Sequence, residues 1–390
     1  MAVAKNSIDS RKYRLPGVLK KNGFLTHRFF FTGFEKITNV ERKFFIEVCQ
    51  LNPALSPLEP VLGFESRIQV SESALQYALA GTESADAVIH EHVVQPSYIV
   101  VRAGTFGAGA KQVCQYYAAK TMTVSRKKFL IEADNCTFKN ESLLGKISCA
   151  ENEVIAHPEY FCDSGTVSWN IHYTLHHDTA DTGYCIKTEK WFPIGGAAEF
   201  FGTIVFDGCE YRVIEETSSG VIDVSCGRTY PLPLVHIASS HLTSIISGKR
   251  LENSCFAVHG EYGGGVALFA SFDARKLVFR PHPKKSGYTN QCTCVIMPED
   301  EAGEKLHWSV SVSNRQWIVD VDIFCPSKEL MVREFELPEG NKKTVKVLGG
   351  GTGSGEIKLY RRLKKNSIEL IEHARVENAL CEYGRGDEVS

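Results

Sequence analysis

Runs of alternating apolar and polar residues constrain this chain more than any other feature. In Gly165–Leu175 the apolar side chains share one face of an extended strand and the polar ones share the other. A similar alternation runs through His307–Ile323, and Asp207-Gly208 separates two further alternating runs as a hairpin turn would. Strands that bury only one face are typical of antiparallel sheets. The sequence therefore predicts an antiparallel, all-β protein.

The spacing of these runs predicts more than one domain. Strand-like segments recur along the chain without the alternation of strands and helices that marks a parallel sheet. A length of 390 residues exceeds what one hydrophobic core usually supports. We therefore expect two tandem antiparallel β-barrels or sandwiches with a few short helices. The predicted divisions are a polar N-terminal arm over residues 1–20, a first β-domain over 21–195, and a second over 196–385 that ends in a hairpin and tail.

Two local predictions accompany this division. Ser71–Gly81 has a serine cap candidate, helix-forming residues and a terminal glycine, which indicates a short helix. Leu348–Gly355, with the sequence LGGGTGSG, resembles a phosphate-binding loop in composition but lacks the Lys-Ser/Thr and the following helix that such a loop requires. We expect it to form a flexible turn before the last hairpin.

Composition excludes several classes of function. A net charge of −2 argues against a nucleic-acid-binding protein, which would need a broad basic face. No run approaches the roughly 20 apolar residues of a membrane-spanning helix. The N-terminus has no apolar segment of a secretion signal, so the 13 cysteines are expected to be reduced thiols of a cytoplasmic protein.

A metal site is the weakest of the candidate features. His90 and His92 would share one face of a strand, which is a known geometry for zinc ligands. A third ligand would have to come from His172, His176 or His177, and no spacing demands it. We therefore expect no metal and no other cofactor.

The aromatic residues admit two interpretations. Two hydrophobic cores would account for most of them, but a barrel with room inside could also use them to enclose an apolar ligand. The residues that we single out as candidates for substrate binding are Phe30, Phe34, Trp169, Tyr173 and Tyr230.

The segment Ser219–His241 gathers a carboxylate, two prolines and two histidines between apolar runs. It lies between the two blocks of predicted strands and is expected to connect them. Its acidic residue, Asp223, is either a turn or cap partner of Arg228 or a functional group beside Val221 and Ile222.

Several motifs along the chain, in order, resemble the tocopherol cyclase-like family, which is related to the carotenoid hydratases. The resemblance covers roughly residues 22–384. The matching residues are Arg28-Phe29-Phe30, Gly33-Phe34 and Asn52-Pro53 near the N-terminus, Gly165 and Trp169, then Asp223, Gly227, Tyr230 and Pro231, and the C-terminal segment from GTGSGEIKLYRR to CEYG. The chain departs from the family pattern at Cys226, His236 and Phe34, where the family has tryptophan.

The resemblance implies two lipocalin-like barrels and a hydrophobic, prenylated substrate. Enzymes of this family close a ring by protonating a prenyl double bond, which requires an acid held protonated in an apolar cavity. On this basis Asp223 is the leading candidate for the acid, and His236 and His241 are alternative proton donors or orienting groups. The alternative is a non-catalytic lipocalin-like carrier of a lipid or other apolar small molecule. Peripheral contact with a membrane stays open.

Overall fold

A computed structural model gives the structure of most of the chain. It describes residues 23–63, 67–68, 91–92, 95–121, 123–124, 129–175, 184–186, 189–215, 217, 219–263, 265–272, 275–281, 288–300, 303–340, 343–364 and 367–386. The predicted N-terminal arm, the predicted helix Ser71–Gly81, and the histidines at 90, 176 and 177 lie outside these residues.

The described part of the chain is almost entirely strand, which confirms the predicted all-β class. One short helix, α1 (Glu151–Ala156), and short 3-10 turns at Pro53–Leu55, Ala119–Thr121, Pro158–Tyr160 and Ser327–Glu329 interrupt it. The strands are β1 (Phe24–Glu35), β2 (Glu41–Leu51), β3 (Arg67–Ile68), β4 (Glu91–His92), β5 (Tyr98–Phe106), β6 (Lys111–Tyr117), β7 (Thr123–Val124), β8 (Leu130–Ala133), β9 (Cys136–Lys139), β10 (Ser142–Cys149), β11 (Gly165–Leu175), β12 (Tyr184–Ile186), β13 (Glu189–Phe206), β14 (Cys209–Val213), β15 (Ser219–Gly227), β16 (Leu234–Ser239), β17 (His241–Ser244), β18 (Cys255–Glu261), β19 (Gly265–Phe272), β20 (Arg275–Phe279), β21 (Asn290–Asp300), β22 (Gly303–Ser313), β23 (Trp317–Pro326), β24 (Met331–Glu336), β25 (Thr344–Arg362) and β26 (Ile368–Gly386).

Two large antiparallel sheets contain nearly all of these strands. The first has the order β6-β5-β2-β1-β14-β13-β11-β10-β9-β8-β7, with β15 between β1 and β13. The second has the order β20-β19-β18-β16-β26-β25-β23-β22-β21, with β17 and β24 at its side. The predicted hairpins at Asp207-Gly208 and before the C-terminal strand are both present.

The chain passes from one sheet to the other between Gly227 and Leu234. The predicted boundary after residue 195 therefore falls inside β13, a strand of the first sheet. The alternating pattern of β13 and β14 does not reveal to which sheet they belong, because both sheets use the same pattern. The segment Ser219–His241 does connect the two sheets, as expected.

Each sheet curls around its own apolar core. In the first sheet the core takes side chains from strands along its whole width, including Phe29, Phe44, Trp169 and Phe200. In the second sheet the core includes Trp308 and its neighbours on β22 and β23. Most of these side chains are fully buried, so described side chains fill the inside of the first sheet.

Four strands of the first sheet are buried on both faces. In β1, Phe29 and Phe31 enter the core of the first sheet, whereas Arg28 and Phe30 point to the opposite face. Strands β2, β5 and β15 behave in the same way, and β16, β18 and β26 present a similar second face from the other sheet. The two sheets thus pack back to back through a second, separate buried layer.

The glycine-rich segment Leu348–Gly355 is part of the long strand β25 and not the flexible turn that we predicted. Its glycines permit close packing between strands. A Cβ at Gly355 would overlap the backbone carbonyl oxygen of Asp322 on β23, and one at Gly351 would lie 2.9 Å from the ring of Phe106 in the first sheet. Register shifts between β25 and β26 occur at the same glycines, where the strand bends.

This packing predicts that Gly355→Ala destabilises the protein. The added methyl group meets backbone that cannot move without breaking the β23–β25 ladder, so we expect a loss of about 1–3 kcal/mol in the free energy of unfolding. Urea denaturation measures it, with the exposed neighbour substitution Ser354→Ala as the control. A flexible turn at this place would tolerate Gly355→Ala as well as the control.

Candidate functional site

Charged side chains form a row across four adjacent strands of the first sheet. Arg102 on β5 stands opposite Glu47 on β2, Glu47 stands opposite Arg28 on β1, and Arg28 stands opposite Asp223 on β15. All four are buried and point toward the second sheet. Directly opposed residues on one face of a sheet are neighbours, so the alternating charges attract each other along the row.

The second sheet presents its own polar row to this face. Glu382 on β26 stands opposite His236 on β16, and His236 stands opposite His259 on β18. All three are at most 1% exposed. We call these seven residues, together with Glu189, Trp191 and Arg333, the central cluster.

Arg28 connects the two rows. Its Nε and Nη2 atoms each donate a hydrogen bond of 2.7 Å to one oxygen of Asp223, and Nη1 donates to Glu382 Oε2 at 3.0 Å. Trp191 Nε1 donates a further hydrogen bond of 3.2 Å to Asp223. Two parallel bonds from one guanidinium are the geometry of an ionised carboxylate. Asp223 therefore pairs with Arg28 and not with Arg228, the partner considered from the sequence.

Arg333 satisfies the other side of the cluster. Its guanidinium donates to Glu382 Oε1 at 3.3 Å, to Gln112 Oε1 at 2.8 Å, and to Glu47 Oε2. The same group stacks 4.4 Å from the centre of the Phe45 ring. Arg28 and Arg333 thus hold Glu382 from both sides, and each carboxylate oxygen of Glu382 has a cationic donor.

A chain of close contacts leads from Asp223 to Glu189. His236 Nε2 lies 3.2 Å from Asp223 Oδ2, and the Nδ1 atoms of His236 and His259 lie 3.3 Å apart. His259 Nε2 lies 2.8 Å from Glu189 Oε2. Trp191 stacks on His259 with ring centres 5.1 Å apart, which fixes the plane of that imidazole.

These contacts fit two proton patterns. Nε2 of His236 lies 3.2 Å from Asp223 Oδ2 but forms no hydrogen bond with the described residues, so this distance does not assign the proton of the ring. If Nε2 of His236 carries the proton, its bare Nδ1 accepts from the Nδ1–H of His259, and His259 Nε2 and Glu189 then share one further proton. If Nδ1 of His236 carries the proton, His259 donates from Nε2 to Glu189 and no further proton is needed.

The charges of the cluster favour the first pattern. Asp223, Glu47, Glu189 and Glu382 supply four carboxylates, and the arginines at 28, 102 and 333 supply three cations. Uncompensated charge is very costly in a buried site. One additional proton makes the cluster neutral, and the first pattern holds that proton at the Glu189–His259 pair.

Burial shifts the pKa of three groups at this site. Desolvation, followed by the charge of Arg28 and by His259, lowers the pKa of His236 well below 6.5 and keeps its ring neutral. Desolvation lowers the pKa of His27, whose side chain packs against Phe129 in the first sheet, to about 3. Burial also raises the pKa of Glu382, although Arg28 and Arg333 oppose that shift.

A narrow cavity lies beside the cluster, between the two sheets. We call it the central cavity. The centre of a water molecule can occupy about 30 Å³ of it. Polar side chains line one part of the cavity, and apolar or aromatic side chains line the other. The polar lining residues are Arg28, Glu47, Arg102, Glu189, His259 and Glu382. The remaining lining residues used below are Leu234, Val345, Val347, Tyr230 and Phe335.

The polar wall of the central cavity has unused hydrogen-bonding capacity. The second carboxylate oxygen of Glu189, Oε1, is buried and has no hydrogen-bond partner among the described residues, and the same holds for Oε1 of Glu47 and Oγ of Ser225. Buried polar atoms are normally paired, so such atoms beside a cavity indicate a place for water or a ligand. Tyr230 and Phe335 also line the cavity; both are half-buried, and their ring centres lie 6.3 Å apart.

The structure brings together only some of the residues singled out from the sequence. Asp223 and His236 belong to the central cluster but lie behind the cavity wall, and Tyr230 lines the cavity. His241 and Phe30 line a different pocket between the sheets. Trp169 and Tyr173 lie in the core of the first sheet, and Phe34 is at the end of β1 beside Arg212. None of these last five lines the central cavity.

Sequence reasoning missed most of the residues on the cavity wall, among them Glu189, His259, Arg102 and Glu382. The available signal is a single charged or imidazole residue inside an otherwise continuous apolar run, as in YIVVRAG around Arg102 and FAVHGE around His259. Such a run indicates a strand that is buried on both faces, and a buried charge needs a partner.

Two further findings concern metals and membranes. No group of three or more histidine, cysteine, aspartate or glutamate side chains in the described residues is arranged to hold a metal ion. The α-helical part that the structure describes contains no segment of sufficient length and apolar character to span a membrane.

No family model matches the chain, and no curated protein matches it by sequence. Among solved structures it is similar to a Nitrosomonas europaea protein provisionally assigned as AttH, with 8% identity, a TM-score of 0.45, and coverage of 97% of this chain and 98% of that one. It is also similar to kievitone hydratase from Nectria haematococca, with 9% identity, a TM-score of 0.36, and coverage of 97% and 96%. The all-β class of this chain is established by its own strand pairing.

The position of Arg28 predicts that Arg28→Met destabilises the protein. The substitution leaves Asp223 and Glu382 buried with fewer cationic partners, and breaking one side of a buried ion pair costs about 3–5 kcal/mol. Urea denaturation measures this loss. Arg212→Met, at an exposed position of β14, serves as the control and should change the free energy of unfolding by less than about 0.5 kcal/mol.

The lowered pKa values of His27 and His236 predict a loss of stability in mild acid. Both rings stay neutral in the folded chain and accept protons below about pH 6.5 when it unfolds. Their contribution to stability is therefore complete above that pH and falls toward the folded pKa, which is about 3 for His27. Each ring lowers the free energy of unfolding by about 1.4 kcal/mol when the pH falls from about 7.5 to about 5.5. Glu382 opposes this trend, because its raised pKa makes the folded state gain stability as the pH falls toward 4.5.

The variant His27→Phe isolates one of these contributions. When the pH falls from about 7.5 to about 5.5, its free energy of unfolding should decrease by about 1.4 kcal/mol less than that of the parent chain, as measured by urea denaturation. His157→Gln, at an exposed position, should keep the full pH dependence. Equal pH dependence in the parent chain and in His27→Phe would contradict a neutral, buried His27.

Proposed function

We propose that this chain is an enzyme that adds a proton to a double bond of a hydrophobic, prenylated substrate bound in the central cavity, leading to hydration or cyclisation. The observation that carries the proposal is the contact of 2.8 Å between Glu189 Oε2 and His259 Nε2, on the wall of a cavity and beside a carboxylate oxygen that has no partner among the described residues. We place the additional proton of the central cluster at this pair. A proton donor held in a poorly solvated site is what such a reaction needs.

The reaction balances without any other reagent. The π electrons of the double bond take the proton from the Glu189–His259 pair and form a C–H bond, which leaves a cation on the neighbouring carbon. Water, or a hydroxyl oxygen of the same substrate, then forms the C–O bond and loses a proton, which returns to the pair. The ring of Tyr230 lines the cavity and would stabilise the cation, whereas the ring of Phe335 already contacts the guanidinium groups of Arg102 and Arg333.

The residues behind the wall would act as positioning residues. Arg28 holds Asp223 through two hydrogen bonds, Asp223 would favour a proton on the facing Nε2 of His236, and His236 would in turn orient His259. This assigns Asp223 and His236 to the site in a role different from direct proton donation, and it moves the acid to the Glu189–His259 pair. The hydrogen bonds of Glu382 with Arg28 and Arg333 would hold the side of the central cluster that is remote from Glu189 in place.

The main alternative is a non-catalytic carrier of an apolar small molecule. The size of the cavity does not separate the two functions. A prenylated ring is larger than the space of about 30 Å³, so an enzyme and a carrier would both have to displace lining side chains such as Tyr230 and Phe335. The two functions differ in the fate of the ligand.

Turnover of 2-prenylphenol in heavy water tests the proposal. Acid-catalysed addition should give a hydrate or a chroman that carries one deuterium bound to carbon, which mass spectrometry detects. Glu189→Gln removes the proton store but keeps the size of the side chain, so we expect turnover to fall by about 10²–10⁴-fold while ligand binding persists.

The control is Glu132→Gln, an exposed carboxylate of β8, which should leave turnover unchanged. Binding of 2-prenylphenol without any product would favour the carrier. Turnover that survives in Glu189→Gln would show that the acid lies elsewhere.

A further inference from the structure

We infer that Arg102 makes the central cavity selective for an uncharged ligand that carries a carbonyl oxygen, which Arg102 binds as a hydrogen-bond donor. The inference rests on the proposed use of the central cavity as a ligand site. It concerns which ligand enters, and not whether the ligand reacts.

Arg102 is a buried cation whose donors are largely unused. Its side chain is at the end of the charged row, 4% exposed, and its guanidinium stacks 4.9 Å from the centre of the Phe335 ring. Apart from a contact with the Cys49 thiol, it forms no ion pair or hydrogen bond with the described residues. Its cross-strand neighbour Glu47 is bound to Arg333 instead.

An unpaired guanidinium in this position points to an acceptor in the ligand. A guanidinium has five N–H donors in a fixed plane, and leaving them without acceptors in a buried site is costly. Arg28 and Arg333, the other two guanidinium groups of the central cluster, each bind two carboxylates. Arg102 alone of the three faces the cavity with donors to spare.

The charges of the wall favour a carbonyl over a carboxylate. Glu47, Glu189 and Glu382 line the cavity, against the cations Arg28 and Arg102. With one proton at the Glu189–His259 pair, the wall and the residues behind it are neutral. An anionic ligand would add uncompensated charge to this buried site, whereas a neutral carbonyl accepts from Arg102 without doing so.

The remainder of the cavity suits the carbon skeleton of such a ligand. Leu234, Val345 and Val347 line the cavity with apolar side chains, and the ring of Phe335 stacks on the guanidinium of Arg102. A ring attached to the carbonyl would therefore lie against apolar side chains while its oxygen meets Arg102.

Three one-ring probes separate these possibilities. Acetophenone carries the carbonyl, ethylbenzene has a methylene in its place, and benzoate has a negative charge. Ligand-observed NMR titration of the full chain should give acetophenone an affinity about tenfold higher than ethylbenzene, as expected for a hydrogen bond to a charged group. Benzoate should bind more weakly than acetophenone at neutral pH.

Substitution of Arg102 should remove this preference. In Arg102→Met the affinity for acetophenone should fall about tenfold, to the level of ethylbenzene, and that for ethylbenzene should change less than about twofold. Arg102→Lys keeps the charge without the planar donor fork and should retain part of the preference. Arg212→Met, on the exposed face of β14, should bind all three probes as the parent chain does.

The parent chain alone can overturn the inference. Equal binding of acetophenone and ethylbenzene, tighter binding of benzoate, or no binding of any probe would each contradict it, whether or not the variants fold. Selective binding of acetophenone without turnover of 2-prenylphenol would support this inference and count against the proposed enzyme. Turnover of 2-prenylphenol without selective binding of acetophenone would support the proposed enzyme and count against this inference.

Discussion

The guanidinium of Arg28 is the group on which the rest of this structure depends. It forms a two-bond ion pair with Asp223 within the first sheet and a third bond to Glu382 of the second sheet. Taking three charged groups out of water is costly, and their mutual attraction offsets that cost only when the geometry is good. The contact surface between the sheets is therefore polar at its centre, with apolar side chains such as Phe30, Phe45 and Leu380 around it.

This arrangement links the fold to the chemistry that we propose. Arg28 binds Asp223, and close contacts continue from Asp223 through His236 and His259 to Glu189. In the function that we propose, the proton at the end of this chain of contacts is delivered into the cavity beside it. The aromatic residues of the sequence suggested a pocket inside one barrel, but described side chains fill the core of the first sheet, and the polar cavity lies between the two sheets.

The sequence predicted the parts of this structure that depend on local pattern. Alternation over Gly165–Leu175 and the turn at Asp207-Gly208 correctly indicated antiparallel strands. The glycines of Leu348–Gly355 were interpreted as a turn, because glycine promotes turns and also permits close strand contacts, and only the neighbours at Asp322 and Phe106 distinguish the two.

The candidate site was predictable only in part, because it depends on strand register. Asp223 and its partner Arg28 are 195 residues apart, and neither the pairing of β1 with β15 nor the facing of the two sheets can be derived from spacing. Asp223 and His236 attracted attention in the sequence through their surroundings in Ser219–His241. Glu189 and Arg102 did not, since isolated charges in strands are common and become informative only when the strand is known to be buried on both faces.

The proton at the Glu189–His259 pair is the central claim, and nitrogen-15 NMR of the histidine rings tests it most directly. Spectra of the parent chain, assigned by comparison with His236→Gln and His259→Gln, report which ring nitrogens carry hydrogen at neutral pH. We predict that His236 is protonated on Nε2 with a bare Nδ1, and that His259 is protonated on Nδ1. A His259 ring with a bare Nδ1 would contradict the account, because the pair would then hold no additional proton.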